Sequence, residues 1–314
     1  MGHGLNPPEP LREPVTSADA YLHGVAEVLV DRRTAFQRLR IVRSPDFGKA
    51  LVLDDAWQTS QADEFLYHEA LCHPAMLLHG GPRRVLVLGG GDGGLLREVL
   101  RWRTVEQAVL VDIDAEVLAA CRELLPEIHQ GSFDDPRAKV HAADAWAYLR
   151  QTSGGWDVIL SDLTDPAEEG PSARLFSVEY MRLCRAALAA GGTFAIQAGP
   201  ACPPRLDLFG RVMATARAVF PHVGFCAVHV PTYGVSLGLA LGADRAVAFP
   251  SQTAIDAVLA EKVRGELHML DGRAVHGLFN PPRYLRQAAA ADVQPFTLSD
   301  GADYARDVLG ASST

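Results

Sequence analysis

The chain has 314 residues, of which 48% are hydrophobic and 21% are charged, and its formal net charge is −9. This length suffices for one large domain with a smaller accessory domain, and no apolar run approaches the roughly 20 residues of a membrane span. The acidic charge disfavours nucleic-acid binding, which depends on Lys and Arg, and suits a cationic ligand. Because the N-terminus lacks a basic, apolar leader, we expect a cytoplasmic protein.

The cysteines show no pattern typical of a metal or disulfide site. Their number is odd and no CxxC spacing occurs, which argues against a disulfide framework and a zinc site. We interpret them as buried free thiols. They are Cys72, Cys121, Cys184, Cys202 and Cys226.

The N-terminal quarter of the chain has the pattern of a small β-domain. Residues 1–14 are polar and rich in proline, which predicts a loose tail. Between residues 26 and 60, the runs EVLV, FQRLRIVRS, KALVLDD and AWQTS are short and β-type, and the PDFG turn at residues 45–48 separates two of them. This pattern predicts antiparallel hairpins, and we assign the β-domain to residues 15–75.

A helix and then an α/β domain are predicted after the hairpins. An apolar stripe at helical spacing runs from Asp63 to the break at residues 79–82 (HGGP), and we place the domain boundary near this helix. Apolar strands then alternate with helices through VLVLGGG, AVLVDID, AKVHAAD, WDVILSDL and GTFAIQAG, before the final runs HVGFCAVHVP and SLGLALGA. The alternation predicts a doubly wound, mostly parallel seven-stranded sheet of the methyltransferase-like Rossmann type over residues 76–314, the nucleotide-binding catalytic domain.

A glycine-rich loop follows the first strand of this domain. Residues 89–94 read GGGDGG and satisfy the GxGxxG pattern, with Gly89 and Gly91 among the glycines that let backbone approach a ligand. Taken alone, the loop is compatible with NAD, FAD or S-adenosyl ligands, and also with a tight turn that binds nothing.

Carboxylates follow four consecutive strands. Asp92, Asp112, Asp144 and Asp162 stand where each strand ends, the edge at which open α/β sheets bind ligands. Asp112 has the spacing of a ribose-binding acid, whereas Asp114 next to it is better explained as a helix N-cap. A pyrophosphate would be repelled by Asp92 and Asp162, so the pattern favours a positively charged nucleoside over a dinucleotide.

The acid inside the glycine loop also bears on which S-adenosyl ligand fits. Intact S-adenosylmethionine carries a carboxylate that Asp92 would repel. The decarboxylated form carries two positive charges, so Asp92 could pair with its ammonium, and Asp162 and Asp165 with an amine acceptor. A methyltransferase that uses intact S-adenosylmethionine and a non-catalytic polyamine-binding protein remain as alternatives.

Four segments resemble the polyamine aminopropyltransferase family, which includes the spermidine, spermine and thermospermine synthases. They are DEFLYHEALCHPAML, VLVLGGGDGGLLREVL, VLVDIDAEV and DVILSDLTDPAEEGPSARLFSVEYM, and the resemblance runs in order over residues 35–242. It implies transfer of an aminopropyl group from decarboxylated S-adenosylmethionine to putrescine, agmatine or spermidine, with release of methylthioadenosine. It also implies a homodimer or homotetramer.

The resemblance further implies which residues bind the donor. Gln37 and His68 are expected near the sulfur-bearing chain of the donor, and Asp92 at its amino group. Asp112 is expected to hold the ribose, and Asp144 the adenine amino group. The family often has Gln where this chain has His68.

The same comparison implies a catalytic base and an amine site. Asp162, the first acid of the DLTDP segment, is expected to take the proton of the attacking amine, aided by Tyr67. Tyr67, Asp165 and Tyr233 are expected to hold the amine. Since the leaving group is neutral, we expect neither a metal nor a cofactor, and decarboxylated S-adenosylmethionine is a co-substrate.

The identity of the acceptor stays open. The segments DLTDP and QAGPA look closer to thermospermine-type members and to those that use agmatine or triamines, whereas PTY at residues 231–233 resembles spermidine synthases. Glu168 and Glu169 could pair with the far charge of a longer amine, or they could be solvated loop acids.

Overall fold

Short antiparallel strands form the N-terminal part of the structure, a computed structural model that describes residues 9–165 and 172–298. The strands are β1 (Leu11–Pro14), β2 (Ala20–His23), β3 (Glu27–Arg33), β4 (Arg38–Ser44), β5 (Gly48–Leu53) and β6 (Ala56–Ser60). β1 and β2 form a hairpin, and the other four form a sheet in the order β3-β4-β5-β6. The predicted small antiparallel β-domain is confirmed.

The first hairpin corrects one expectation from the sequence. The loose tail predicted for residues 1–14 is wrong for the last four of them, because they pair with β2 as a strand. Leu11 anchors this strand in a cluster that includes Val25 and Trp57. A single apolar residue in a proline-rich segment is too weak a pattern to predict a strand whose partner comes later in the chain. Residues 1–8 lie outside the described residues.

A seven-stranded sheet forms the larger part of the structure. Its strands are β7 (Arg84–Gly89), β8 (Gln107–Asp112), β9 (Ala138–Ala142), β10 (Trp156–Asp162), β11 (Leu188–Pro200), β12 (His222–His229) and β13 (Ser236–Ala243). The order is β12-β13-β11-β10-β7-β8-β9. β7 to β11 are parallel, and β13 pairs antiparallel with both β11 and β12. The predicted Rossmann-like sheet is confirmed.

Helices cover both faces of this sheet, as near-continuous apolar strands require. They are α1 (Glu64–His79), α2 (Gly94–Leu100), α3 (Ala115–Leu124), α4 (Pro126–His129), α5 (Ala145–Gln151), α6 (Val178–Ala187), α7 (Leu206–Val219), α8 (Gln252–Lys262), α9 (Gly272–Leu278) and α10 (Arg283–Ala289). Two large apolar clusters pack against opposite faces of the sheet. Throughout the described ranges, every helix is too short or too polar to cross a bilayer.

The change from the small sheet to the large one occurs before α1. The boundary expected between residues 75 and 76 falls inside this helix, whose buried side packs on the large sheet. Thr193 of β11, for example, donates a hydrogen bond of 3.0 Å to the carbonyl oxygen of Ala75. Helical spacing locates the helix in the sequence, but it does not say which sheet the helix covers.

The strand order creates a crevice beside β7. From β7 the chain goes outward through β8 and β9, and then returns to place β10 on the other side of β7. Such a switch point is where open α/β sheets bind ligands. There Asp162 pairs with Gly89 across the two strands, and the N–H of Gly90 donates to the carbonyl oxygen of Asp162 at 3.1 Å.

Candidate active site

A cavity of about 530 Å³ opens at this switch point, between the small sheets and the large one. All the residues that the sequence singled out for donor, amine or catalysis line it. They are Gln37, Tyr67, His68, Gly89, Gly91, Asp92, Asp112, Asp144, Asp162, Asp165 and Tyr233. Glu168 and Glu169 lie outside the described residues.

The glycine loop passes very close to the end of β10. Gly89 has a φ of +84°, and a Cβ atom there would lie 1.9 Å from the carbonyl oxygen of Asp162. Neither the backbone angle nor the space tolerates a side chain. The loop is therefore fixed against the strand that carries Asp162, which brings the carboxylates of Asp92 and Asp162 into one cavity.

Asp162 and Tyr67 form a hydrogen-bonded pair at the cavity wall. The Tyr67 hydroxyl donates to Oδ1 of Asp162 at 2.6 Å. Burial raises the pKa of Asp162 to about 6; the His68 cation and the Tyr67 hydrogen bond oppose this rise, and the Asp92 charge adds to it. Burial and the Asp162 charge hold the pKa of Tyr67 well above 10.0, so Tyr67 is a donor. Asp162 is thus suited to accept a proton near neutral pH.

Asp92 presents one carboxylate oxygen to the cavity. Its Oδ1 accepts a hydrogen bond of 2.7 Å from the N–H of Gly94, while Oδ2 lies 3.7 Å from Nε2 of His68. The Asp92 side chain is 9% exposed. The acid of the glycine loop is therefore anchored on one side and accessible on the other.

His68 lies between two carboxylates. Its Nδ1 is 2.6 Å from Oε2 of Glu64, one turn earlier on α1. Burial disfavours the charged ring, but Asp92, Glu64 and Asp162 outweigh it and raise the pKa of His68 to about 9. A cation therefore stands between the acids at neutral pH.

The end of β8 holds two acids with different roles. Asp112 lines the cavity, and burial raises its pKa to about 6. The N–H of Asp114 donates a hydrogen bond of 2.9 Å to Asp112, which partly opposes this rise of the pKa. Asp114 caps α3 through the N–H groups of Glu116 and Val117. It also accepts from Gln37 at 3.1 Å, which ties the small sheet to this edge. The interpretation of Asp114 as an N-cap is confirmed.

Asp144 already has partners on both carboxylate oxygens. One caps α5 by accepting the N–H of Ala147 at 2.8 Å, and the other pairs with Arg174. This carboxylate therefore has a structural role at the cavity edge, in addition to the adenine contact expected from the resemblance.

Asp165 lines the cavity beside a polar group of β11. Gln197 is 2% exposed, and its amide donates at 3.0 Å both to Asp165 and to the carbonyl oxygen of Leu163. The Tyr233 hydroxyl donates to the carbonyl oxygen of Gln58 at 2.6 Å. Asp165 is thus held in one orientation, facing the cavity.

Sequence reasoning missed Glu13, Gln197 and Glu64. Oε2 of Glu13 lies 2.9 Å from Nε2 of His23 and accepts the Trp57 N–H at 3.1 Å at the cavity wall, but Glu13 fell in the presumed tail. The contact of Glu64 with His68 could have been predicted, because Glu64 precedes His68 by four residues on a helix.

Within the described ranges, no group of three or more His, Cys, Asp or Glu residues could hold a metal ion.

The fold is a Rossmann-like α/β fold, and its crevice is lined by the carboxylates of Asp92, Asp112 and Asp162. The chain belongs to the spermine/spermidine synthase family: the model of the spermine/spermidine synthase domain matches residues 64–243, and that of the spermidine synthase tetramerisation domain matches residues 20–61. It is accordingly an enzyme that transfers alkyl groups.

Individual relatives agree with this assignment. A polyamine aminopropyltransferase from Synechococcus sp. is 49% identical over 92% of this chain and 96% of its own length, and one from Aeropyrum pernix is 40% identical over 91% and 92%. A spermidine synthase solved with the transition-state analogue AdoDATO superposes with a TM-score of 0.84, at 29% identity over 92% of this chain and 98% of that one. Spermidine synthase from Thermotoga maritima superposes with a TM-score of 0.81, at 29% identity over 92% of this chain and 97% of its own chain.

Proposed function

We propose that this enzyme transfers the aminopropyl group of decarboxylated S-adenosylmethionine to an amine of a polyamine and releases methylthioadenosine. The observation that carries the proposal is the pair of carboxylates, Asp92 and Asp162, that face one cavity beside a fixed glycine loop. Intact S-adenosylmethionine would bring its own carboxylate against Asp92, whereas the decarboxylated donor brings an ammonium. The names of the relatives and the AdoDATO complex of a similar enzyme support the same reaction.

The donor is assigned to the end of the cavity formed by the glycine loop and β8. Oδ2 of Asp92, which the Gly94 N–H leaves unused, pairs with the donor ammonium, and Asp112 accepts hydrogen bonds from the ribose hydroxyls. Asp144 and Gln37 also line the cavity; we assign Asp144 to the adenine and Gln37 to the sulfur-bearing chain. The ends of β8 and β9 thereby bind the nucleoside, and the glycine loop binds the group that is transferred.

The reaction needs a neutral amine in line with the carbon attached to the sulfonium. The lone pair of the amine nitrogen forms a bond to that carbon while the carbon–sulfur bond breaks. The electron pair of the broken bond goes to sulfur. The proton of the amine goes to Asp162, whose hydrogen bond from Tyr67 fixes its direction. Orientation of the two reactants supplies most of the acceleration. Because the leaving thioether is neutral, the chemistry requires no metal or cofactor.

Asp165 is assigned to the second ammonium of the acceptor. Gln197 holds this carboxylate. Tyr233 also lines the cavity, and its ring packs edge-on against that of Tyr67, with centroids 6.2 Å apart. A linear polyamine would lie along this wall with its reacting nitrogen at Asp162. The spacing of charges, rather than shape alone, then selects the acceptor.

A donor and acceptor panel tests the proposal directly. The protein is incubated with intact or decarboxylated S-adenosylmethionine and with putrescine, agmatine or spermidine, and methylthioadenosine is measured. We expect methylthioadenosine only with the decarboxylated donor, and only when an amine is present. Methylated product from intact S-adenosylmethionine would identify a methyltransferase, and binding without turnover would identify a polyamine-binding protein; either result contradicts the proposal.

We further expect a homodimer or homotetramer formed through the N-terminal sheets. The matched tetramerisation segment exposes three large apolar side chains, Leu22, Val28 and Phe36, at 62%, 44% and 43%. Sedimentation at micromolar concentration should show the oligomer, and Phe36→Asp should shift it toward smaller species. Val293→Asp, at an apolar residue that is 37% exposed elsewhere, is the matched control. A monomeric wild-type protein would refute this expectation.

A further inference from the structure

A series of buried charged and polar side chains extends away from the cavity between α1 and α2. It starts at His68, and no member is more than 8% exposed. We call it the buried charge chain, and its members in order are His68, Glu64, Arg97, Glu98, His73 and Trp102. Buried charges persist only when they are paired. The proton positions along the chain therefore follow from its contacts, one at a time.

The far end of the buried charge chain fixes the protonation of His73. Indole nitrogen only donates, and Nε1 of Trp102 donates to Nδ1 of His73 at 3.0 Å. Nδ1 is thus unprotonated, so the ring is neutral and its proton is on Nε2. That proton is donated to Oε2 of Glu98 at 2.9 Å. His73 is therefore a buried neutral histidine.

Arg97 joins the two acids of the buried charge chain, Glu64 and Glu98. Its Nε donates to Glu98 at 2.9 Å, while its two terminal nitrogens donate to the two oxygens of Glu64 at 2.8 and 2.9 Å. Guanidinium has protons to give and no lone pair to accept with. Burial alone would raise the pKa of Glu64, but His68 and Arg97 reverse this and lower it, so Glu64 is a carboxylate.

An ionised Glu64 determines the state of His68. Since Glu64 has no proton to donate, the 2.6 Å contact requires a proton on Nδ1 of His68. The opposite nitrogen, Nε2, lies 3.7 Å from Oδ2 of Asp92. A neutral ring would direct a lone pair at that carboxylate, whereas a second proton makes the contact attractive. The geometry thus favours an imidazolium.

Packing keeps the His68 ring in this position. A Cβ atom on Gly94 would lie 2.4 Å from Cε1 of His68, so the ring packs directly on the backbone of the glycine loop. The ionisable groups that face the ring are Glu64 from α1, Asp92 from the loop, Asp162 from β10 and the neighbouring Tyr67. Three of these four are carboxylates, and Arg97 is hydrogen-bonded to one of them, Glu64.

We propose that Glu64 and Arg97 are positioning residues that keep His68 an imidazolium, with its Nε2 proton directed at Asp92, so that the glycine-loop carboxylate is held in place for a cationic donor. This inference rests on the proposed function only for its last step, the use of Asp92 by the donor. The same cation offsets the repulsion between Asp92 and Asp162, which keeps Asp162 available as a base near neutral pH.

The state of His68 can be measured without any substrate. In ¹⁵N-histidine NMR spectra of the whole protein at pH 7.5, with His68→Gln and His73→Gln used for assignment, we expect His68 as an imidazolium and His73 as a neutral ring. Glu64→Gln should lower the titration midpoint of His68 by at least about one pH unit, because a neutral amide replaces the paired charge. Glu69→Gln is the matched control: Glu69 is also buried on α1, but it binds the backbone N–H groups of residues 268–270.

Ligand binding then tests the last step. A fall of the His68 midpoint from about 9 to about 8 lowers the imidazolium fraction at pH 8.5 about threefold. Glu64→Gln should therefore raise the Kd of decarboxylated S-adenosylmethionine about threefold at this pH and leave that of methylthioadenosine unchanged. A neutral His68 in the wild-type spectrum at pH 7.5 would overturn the proposal even if Glu64→Gln does not fold. An imidazolium with equal weakening of both ligands would also overturn it, as a purely structural role. Absence of turnover with every amine would refute only the proposed function.

Discussion

Asp162→Asn is expected to lower kcat by about 10²–10⁴-fold, the loss typical of a missing general base. The amide oxygen can still accept the hydrogen bond from Tyr67, so the local geometry should persist. The amide cannot take the proton of the attacking amine. In the wild-type enzyme, kcat should rise as the pH increases through the Asp162 pKa of about 6, and this limb of the profile should be absent from the variant.

Stability provides an independent readout of the same substitution. The pKa of Asp162 is raised in the folded protein from 3.8 to about 6. A group with a raised pKa contributes stability below its unfolded value, and this contribution is lost as the pH rises through the folded value. Asp162→Asn should therefore melt at a higher temperature than the wild type at pH 8, and the difference should shrink toward pH 4.

Asp292→Asn, at an exposed acid far along the chain, is the matched control for both measurements and should leave kcat and Tm unchanged. Near-normal turnover by Asp162→Asn would remove the base from the proposed mechanism. A lower Tm for Asp162→Asn at pH 8 would instead show that its carboxylate stabilises the fold.

The sequence predicts the central fold well because its signals there are local and repeated. Apolar strands alternating with helices allow few arrangements other than a covered parallel sheet. The C-terminal region lacks this regularity, and the sequence predicts no helix there. α8 and α9 each add one buried apolar residue, Ile255 and Val275, to a small cluster with Leu270, and α10 adds Leu285 and Ala289 to the core of the large sheet. The positions of these helices are determined by tertiary packing rather than by a periodic spacing of apolar residues in the sequence.

The candidate site could be predicted as far as strand ends determine it. Asp92, Asp112, Asp144 and Asp162 follow parallel strands, whose carboxyl ends must share one edge. Their partners could not be predicted, because they depend on how helices pack. Arg97 reaches Glu64 across two helices, 33 residues apart in the chain. Strand-end acids also have more than one role, since Asp144 caps a helix while lining the cavity.

Asp92→Asn is expected to weaken the decarboxylated donor about 10- to 150-fold, which corresponds to the 1.5–3 kcal/mol of a hydrogen bond to a charged group. Methylthioadenosine should bind within about twofold of its wild-type Kd, because it lacks the ammonium. The loop itself should be preserved, since an amide oxygen can still accept the N–H of Gly94. Isothermal titration with the two ligands measures the difference.

Asp112→Asn is the matched control for this prediction, because the ribose assigned to Asp112 occurs in both ligands. Asp112→Asn should raise the Kd of the decarboxylated donor and the Kd of methylthioadenosine by the same factor. Asp92→Asn should raise only the Kd of the decarboxylated donor. Equal losses for both ligands with Asp92→Asn would mean that this acid only shapes the glycine loop. The selection of a decarboxylated donor would then need another source of negative charge in the cavity, for which Asp162 is the nearest candidate, since the pKa of Asp162 responds to both His68 and Asp92.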